Sequence, residues 1–333
     1  MSEIFNLLNL LGKKNWKREH VIAAILLHVK ENPDLVKMTR GGRSLLHLAC
    51  QQNAPFEVVS ALLKAWPDGA KKKDPRGYTP LYAAIVFGAP IEVVSALIDA
   101  WPDGVKAKAD ASCTPLYIAC TFDLPIEVVS ALLNAWPDGA KEKNDNGDIP
   151  LQAALRPRPR LEIVSALLDA WPESVSEKND AGNNNLYGAC LSEASYEVIA
   201  LLLDKWLGDK ENRKLSGKLV IDKCASVSRS SSITTTLFSF VSAIYDTNIT
   251  TNNTNDPSSL NRSMILFRSI QMFVSIQMWN GVSLVLDKHP AVVKIMNVDT
   301  NAMAFLLSKV GRCCNLITMW NIICNEQDLL GGA

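Results

Sequence analysis

Apolar positions in this chain come in paired blocks. In the stretch 91–101, Val93, Val94, Leu97, Ile98 and Trp101 fall at helical spacing, which is one face of an α-helix. Just upstream, Leu81, Ala83, Ala84 and Ile85 form a shorter block of mostly small residues, expected to be a helix packed closely on both sides. Thr79 is placed to cap that helix through its hydroxyl, and Pro80 stands at the first helical position, where the missing N–H is harmless. Gly88-Ala89-Pro90 breaks it, and Pro90 starts the second helix, whose first turn carries Glu92, favourable to the helix dipole. Pro102 forbids continuation and Asp103-Gly104 is expected to make a turn. Lys106 to Ala111 then cross to the next unit as a short extended finger.

The unit recurs. Trp66-Pro67-Asp68-Gly69 returns as Trp101-Pro102-Asp103-Gly104 and Trp136-Pro137-Asp138-Gly139, decays to Trp171-Pro172-Glu173-Ser174, and ends as Trp206-Leu207-Gly208, 35 residues apart each time. Leu46, Leu81, Leu116, Leu151 and Leu186 keep the same phase, as do Glu57, Glu92, Glu127, Glu162 and Glu197. A helix pair of this size cannot bury its apolar face alone, so a fixed period implies an all-α stack of such pairs.

Four segments follow from that phase. Residues 32–208 read as five repeats. Residues 1–31 read as an N-terminal helical cap, with Val21 to Val29 as a second helix lacking its partner and Asn32-Pro33-Asp34 in place of the later Pro-Asp turn. Residues 209–263, rich in Ser, Thr and Asn, read as irregular chain with one helix near Leu237 to Tyr245. Residues 264–333 read as degraded repeats forming a C-terminal cap, with a separate small helical domain as the alternative.

The phrases Thr79-Pro80-Leu81-Tyr82-Ala83-Ala84, Thr114-Pro115-Leu116-Tyr117-Ile118-Ala119 and Ser44-Leu45-Leu46-His47-Leu48-Ala49 resemble the T-P-L-H-x-A signature of ankyrin repeats. The Glu-Val-Val-x-x-Leu-Leu runs resemble that family's second helix. The resemblance spans about residues 32–208 and implies an ankyrin-type helix-pair solenoid with short finger turns. Two departures stand out: the signature His survives only as His47, with Tyr82, Tyr117, Gln152 and Tyr187 elsewhere, and the period is two residues longer than the family's 33.

Charge and composition narrow the function. Thirty-four basic and 34 acidic residues cancel, which argues against a phosphate-neutralising nucleic-acid binder. The start, MSEIFNLLNLLGKK, lacks the pattern of a signal peptide. The apolar stretch Met264 to Leu286 contains Arg268, Gln271, Gln277 and Asn280 and is broken by Gly281, so packed helix is expected rather than a membrane span. Cytoplasm is the expected compartment, with the nucleus possible.

No phosphate loop, nucleophile elbow or metalloprotease helix is present. Cys50, Cys120 and Cys190 share a repeat position with Ile85 and Leu155 and read as small core hydrophobes; Cys313-Cys314 and Cys324 lack partners at zinc-finger spacing. No catalytic residue, cofactor or metal is expected. Asn248, Asn252 and Asn261 match a glycosylation pattern relevant only to a secreted chain, and Arg229 to Ser232 could take phosphate.

The resemblance implies that partners bind the concave face built by fingers and first helices. The matching variable positions include Arg43, Tyr78, Cys113, Asp148 and Asn183, and, at the helix ends, Phe87, Phe122 and Arg156-Pro157. Phe87 and Phe122, equivalent in adjacent units, with Tyr78, form a candidate apolar anchor, flanked by Arg156, Arg158 and Arg160; the alternative is that both rings pack beneath the lengthened loop. The partner-binding set is Tyr78, Phe87, Phe122, Arg43, Asp148 and Arg156. The expected function is a monomeric, non-enzymatic scaffold for a protein partner. The alternative is an adaptor or regulatory subunit whose region 209–333 carries a second function.

Overall fold

The computed structural model describes residues 3–12, 17–156, 158–179, 182–228, 232–246 and 257–289. These group into two compact units. The first runs to Arg156 and adds Glu162–Ser174 and Lys178–Gly182; the second holds Pro157–Leu161, Val175–Glu177 and the chain from Asn183 on.

In the first unit, α1 (Glu3–Leu11) and α2 (Arg18–Glu31) are followed by a two-residue hairpin, β1 (Thr39–Arg40) with β2 (Arg43–Ser44). Then come α3 (Leu45–Gln51), α4 (Phe56–Ala65), α5 (Pro80–Val86), α6 (Ile91–Ala100), α7 (Pro115–Thr121), α8 (Ile126–Ala135), α9 (Pro150–Ala154) and α10 (Leu161–Ala170). Helices α1, α3, α5, α7 and α9 stack side by side as an inner layer, and α2, α4, α6 and α8 as an outer one. The segment expected to be a helix without a partner therefore has one: α1 packs on α2 and buries Ile4, Phe5, Leu8 and Leu11.

Each inner helix starts where its sequence says it should. Thr79 Oγ1 accepts from the backbone N–H of Tyr82 at 3.1 Å, and Thr114 Oγ1 from that of Tyr117 at 3.2 Å. Ser44 and, in the second unit, Asn184 take the same place. Such a cap contributes about 0.5–2 kcal/mol. At Ile149 the side chain has no acceptor, and Gln152 Oε1 instead accepts from the Ile149 N–H at 2.8 Å. Outer helices bury one stripe, such as Val93, Val94, Leu97 and Ile98 in α6, each side chain contributing roughly 1.5–3 kcal/mol.

The Trp-Pro-Asp-Gly phrase builds more than the turn expected. Trp66, Trp101 and Trp136 are C-caps with φ near −150°, and the following residues form 3₁₀ helices, Pro67–Lys71, Pro102–Lys106 and Pro137–Lys141. Within them Asp68, Asp103 and Asp138 pair with Lys71, Lys106 and Lys141 at 2.7, 2.9 and 2.8 Å. These pairs are exposed, and solvent screening leaves them little share in stability.

Two further positions repeat in backbone conformation rather than identity. Asn53, Gly88, Asp123, Arg158 and Glu193 all have positive φ, and so do Gly42, Gly77, Ser112, Gly147 and Gly182. The second set closes the finger. In the fingers of 74–78 and 144–148, Asp74 Oδ1 and Asn144 Oδ1 each accept from two backbone N–H groups, those of Arg76 and Tyr78 and those of Asn146 and Asp148. The equivalent residue in the third finger is Ala109, which has no acceptor, and Ser112 replaces glycine there. That finger is not extended: Asp110–Ser112 coil into a short 3₁₀ turn with Ala111 also at positive φ.

The second unit contains α11 (Asn185–Leu191), α12 (Tyr196–Gly208), α13 (Leu215–Val227), α14 (Ser232–Asp246), α15 (Pro257–Ser275) and α16 (Trp279–Lys288). With no proline after Trp206, α12 runs on through the Trp, which is 2% exposed. Segment 209–263 is far more helical than its polar composition suggests: α13, α14 and the start of α15 all lie in it, where one helix was expected. Helix α13 packs on α11, whereas the neighbour of α12 is α16 rather than the next helix in sequence.

The break in the Met264–Leu286 stretch falls at Ile276–Met278, with Gln277 at positive φ, and not at Gly281. Gly281 is buried inside α16 because a Cβ there would meet the Phe273 ring at 2.9 Å. No described helix is long and apolar enough to cross a membrane. The expected repeats beyond His289, Cys313, Cys314, Cys324, Asn248, Asn252 and residues 229–231 lie outside the described residues.

Candidate partner-binding face

The face formed by fingers and inner helices holds most of the residues singled out by sequence. At its start, His47 bridges two repeats. Its Nδ1 accepts from the backbone N–H of Ser44 at 3.2 Å and lies 2.8 Å from Ser44 Oγ; its Nε2 lies 2.9 Å from the Tyr78 carbonyl oxygen. That geometry assigns the proton to Nε2, which donates to Tyr78. Burial pushes the imidazole pKa below its ordinary value, although the Tyr78 carbonyl and Asp74 act in the opposite direction.

Asp74 is buried beneath this junction. Its Oδ1 is taken by two backbone N–H groups, and its Oδ2 faces Arg43 Nε at 3.4 Å. Arg43 also reaches Gln51 Oε1 at 3.4 Å and remains 44% exposed. Tyr78 stacks on Tyr82, centroids 4.5 Å apart and planes 9° from parallel, and its hydroxyl donates to Asp110 at 2.6 Å. The hydrogen bond to the Asp110 carboxylate and burial raise the Tyr78 pKa. Tyr78 is therefore half fixed as framework.

These residues line an open groove of about 240 Å³ that runs along α5 from Arg43, Asp74 and Arg76 to Val86 and Phe87. Phe87, the C-cap of α5, is 44% exposed, and Phe122, the C-cap of α7, is 55% exposed. Neither ring is packed away beneath the loop. The carbonyl of Phe87 is held by Asn53 Nδ2 at 3.0 Å, which fixes the backbone from which the ring projects.

Two of the sequence-selected positions are interior. Asp148 is 4% exposed and its Oδ2 accepts from Arg156 Nη2 at 3.0 Å. It anchors the exposed Arg156 and does not itself face a partner. Cys113 is buried beside Asn144, with burial raising its thiol pKa.

Sequence reasoning missed Arg76, which is exposed in the groove. The signal was available: it precedes a finger glycine, where a side chain has little to pack on. It also missed the backbone brace between fingers, in which the Asp145 N–H donates to the Ala111 carbonyl at 3.0 Å and Lys108 pairs with Glu142 at 2.7 Å.

Among the described residues, Cys50, Cys113, Cys120, Cys190 and Cys224 are buried. Burial pushes the thiols of Cys50 and Cys120 up to about 12, far from a reactive thiolate. Among the described residues no group of three or more His, Cys, Asp or Glu is placed to hold a metal ion.

No curated protein matches the chain. The family model for ankyrin repeats in three copies matches residues 17–111 and, overlapping, 46–143. The match begins at α2, so the expected cap helix already counts as part of the array, and the same 35-residue phase carries on past 143 through 208. Stacked helix pairs, hydroxyl-capped inner helices and a family match across 17–143 agree: these residues form ankyrin repeats, which are a protein–protein interaction module.

Proposed function

We propose that this chain holds a protein partner on the finger and inner-helix face of its first unit and performs no chemistry of its own. The observation that carries this is the pair Phe87 and Phe122. Two large aromatic side chains stand 44% and 55% exposed at one repeat position, where the framework needs none. Exposed aromatics beside an open groove are the usual centre of a protein interface. Tyr78 and Arg43 flank this centre, and Arg156 extends it; Asp148 supports Arg156 from below. The test is affinity purification with wild type and the Phe87→Ala/Phe122→Ala pair at matched thermal stability. Recovery of the same partners in the same amounts by both proteins sinks the reading.

A second reading keeps residues 209–333 as an adaptor's or regulatory subunit's own functional region rather than a cap. The separate compact unit from Asn183 onward favours it. Expressed alone, residues 183–333 fold and bind a partner under this reading, and aggregate if they only cap the array. The protein is proposed to be monomeric and to work in the cytosol or nucleus; sedimentation of the purified chain tests the first point and a tagged full-length chain the second.

A further inference from the structure

Resting on that reading, we infer that the segment held in the α5 groove is an acidic peptide, with a carboxylate near Arg43 and Arg76 and an apolar side chain about three residues away against Val86 and Phe87. The two ends of the groove differ in chemistry. At the finger end, two guanidinium groups face solvent, those of Arg43 and Arg76. The carboxylate among the lining residues, Asp74, is only 3% exposed, and both its oxygens are engaged from within the protein. Arg43 holds it through a bond of 3.4 Å, at the long limit of hydrogen bonding, so its charge is incompletely answered.

The loop end is mainly apolar: Ala83, Val86 and Phe87 line it, with Gln51, whose Oε1 Arg43 reaches, beside them. Between the two ends lies α5, seven residues long, or about 10 Å at 1.5 Å per residue. An extended peptide covers about the same distance in three residues, so an acid and an apolar residue at i and i+3 reach both ends together.

A second carboxylate, Asp110, stands at the same end: it accepts from the Tyr78 hydroxyl, which Arg76 also approaches. Two guanidinium groups are thus set against one exposed carboxylate, and Asp110 disfavours an acidic residue shifted toward the third finger. Arg156, 59% exposed over the buried Asp148, is another exposed Arg above a buried Asp, built from different repeat positions. Guanidinium forks bind carboxylates bidentately, and the shared chemistry extends to a phosphorylated side chain.

Random phage-displayed peptides panned on the full chain test this, followed by fluorescence anisotropy of the enriched peptide in carboxylate, amide and phosphoserine forms. Enriched sequences should pair Asp or Glu with Phe, Leu or Trp three residues apart. Arg76→Glu, at an exposed site, should weaken binding at least tenfold, Arg43→Gln and Phe87→Ala should each weaken it, and added salt should lower the affinity. The amide form should bind worse than the acid; a phosphoserine form that outbinds it replaces the carboxylate. Neutral or basic peptides, or binding indifferent to Arg76→Glu but lost in Phe87→Ala, overturn the acidic occupant while leaving the face intact. No enrichment, or binding indifferent to Phe87→Ala and Arg76→Glu alike, overturns both.

Discussion

The indole of Trp101 lies over Gly104: a Cβ built on the glycine meets Trp101 Cε3 at 2.9 Å. The same contact is 2.9 Å at Gly69 with Trp66 and 3.0 Å at Gly139 with Trp136. The glycine is needed for close approach, since none of the three has positive φ. Gly104→Ala should therefore destabilise by roughly 1–3 kcal/mol, the usual range for overpacking. In a Trp101→Leu background the same change should cost little, so urea unfolding of the cycle should show strong coupling between the two sites. Independent, additive effects would refute the contact as the reason for the glycine.

That contact marks how far the sequence could be read. Period, helix pairs, the Ser44, Thr79 and Thr114 caps and the buried stripe of α6 all follow from residue identity, because each is a local rule. The 3₁₀ helix after each Trp, the packing over Gly281 and the neighbour chosen by α12 do not, because they depend on tertiary contacts. Polar composition also misled at 209–263, where α13 and α14 bury Ile221, Cys224, Leu237, Phe238 and Val241 despite many Ser and Thr. At the candidate site, Phe87, Phe122 and Arg43 were visible as breaks in the repeat. The burial of Asp148 was not, since a finger residue's exposure depends on the Arg156 that covers it.

Ser112 has φ 55° in a series whose other members, Gly42, Gly77, Gly147 and Gly182, are all glycine. A left-handed residue with a Cβ is strained by about 1–2 kcal/mol, part of which glycine returns through its greater unfolded-state entropy. Ser112→Gly should thus stabilise by about 1 kcal/mol, raising the melting temperature by roughly 2–4 °C. Calorimetry of the two proteins checks it. A lowered melting temperature would mean that Ser112 makes contacts outweighing its strain.

His47 predicts an acid-sensitive step. Its folded pKa is lowered by burial from 6.5. As pH falls through about 6.5 the unfolded chain takes up a proton at this residue while the folded chain does not. Stability from the neutral imidazole is therefore complete above that pH and declines below it, until the folded ring also titrates. His289, buried against the Ile244 carbonyl, shifts in the same direction. Gln152, at the same repeat position, already accepts from its own cap N–H as His47 does, so His47→Gln should fold and lose its share of the decline. The drop in melting temperature between about pH 7.5 and about pH 5.5 should be smaller in the variant. An unchanged drop assigns the sensitivity elsewhere.

In the second unit, Arg213 Nε lies 3.1 Å from Asp287 Oδ2, with the Arg side chain 3% exposed. The two residues tie the loop after α12 to the end of α16. Asp204, in α12, reinforces the same junction by accepting from the backbone N–H of Asn280 at 2.9 Å and from its Nδ2 at 3.2 Å. Removing one partner of a buried ion pair typically costs about 3–5 kcal/mol, because the remaining charge stays desolvated. Asp287→Ala should therefore unfold the second unit at markedly lower denaturant, whereas Asp68→Ala, in an exposed and screened pair, should leave the midpoint almost unchanged. The contrast separates the two effects: if both variants unfold at the wild-type midpoint, α16 is not held to the repeats by this pair, and its place beside α12 rests on apolar packing alone.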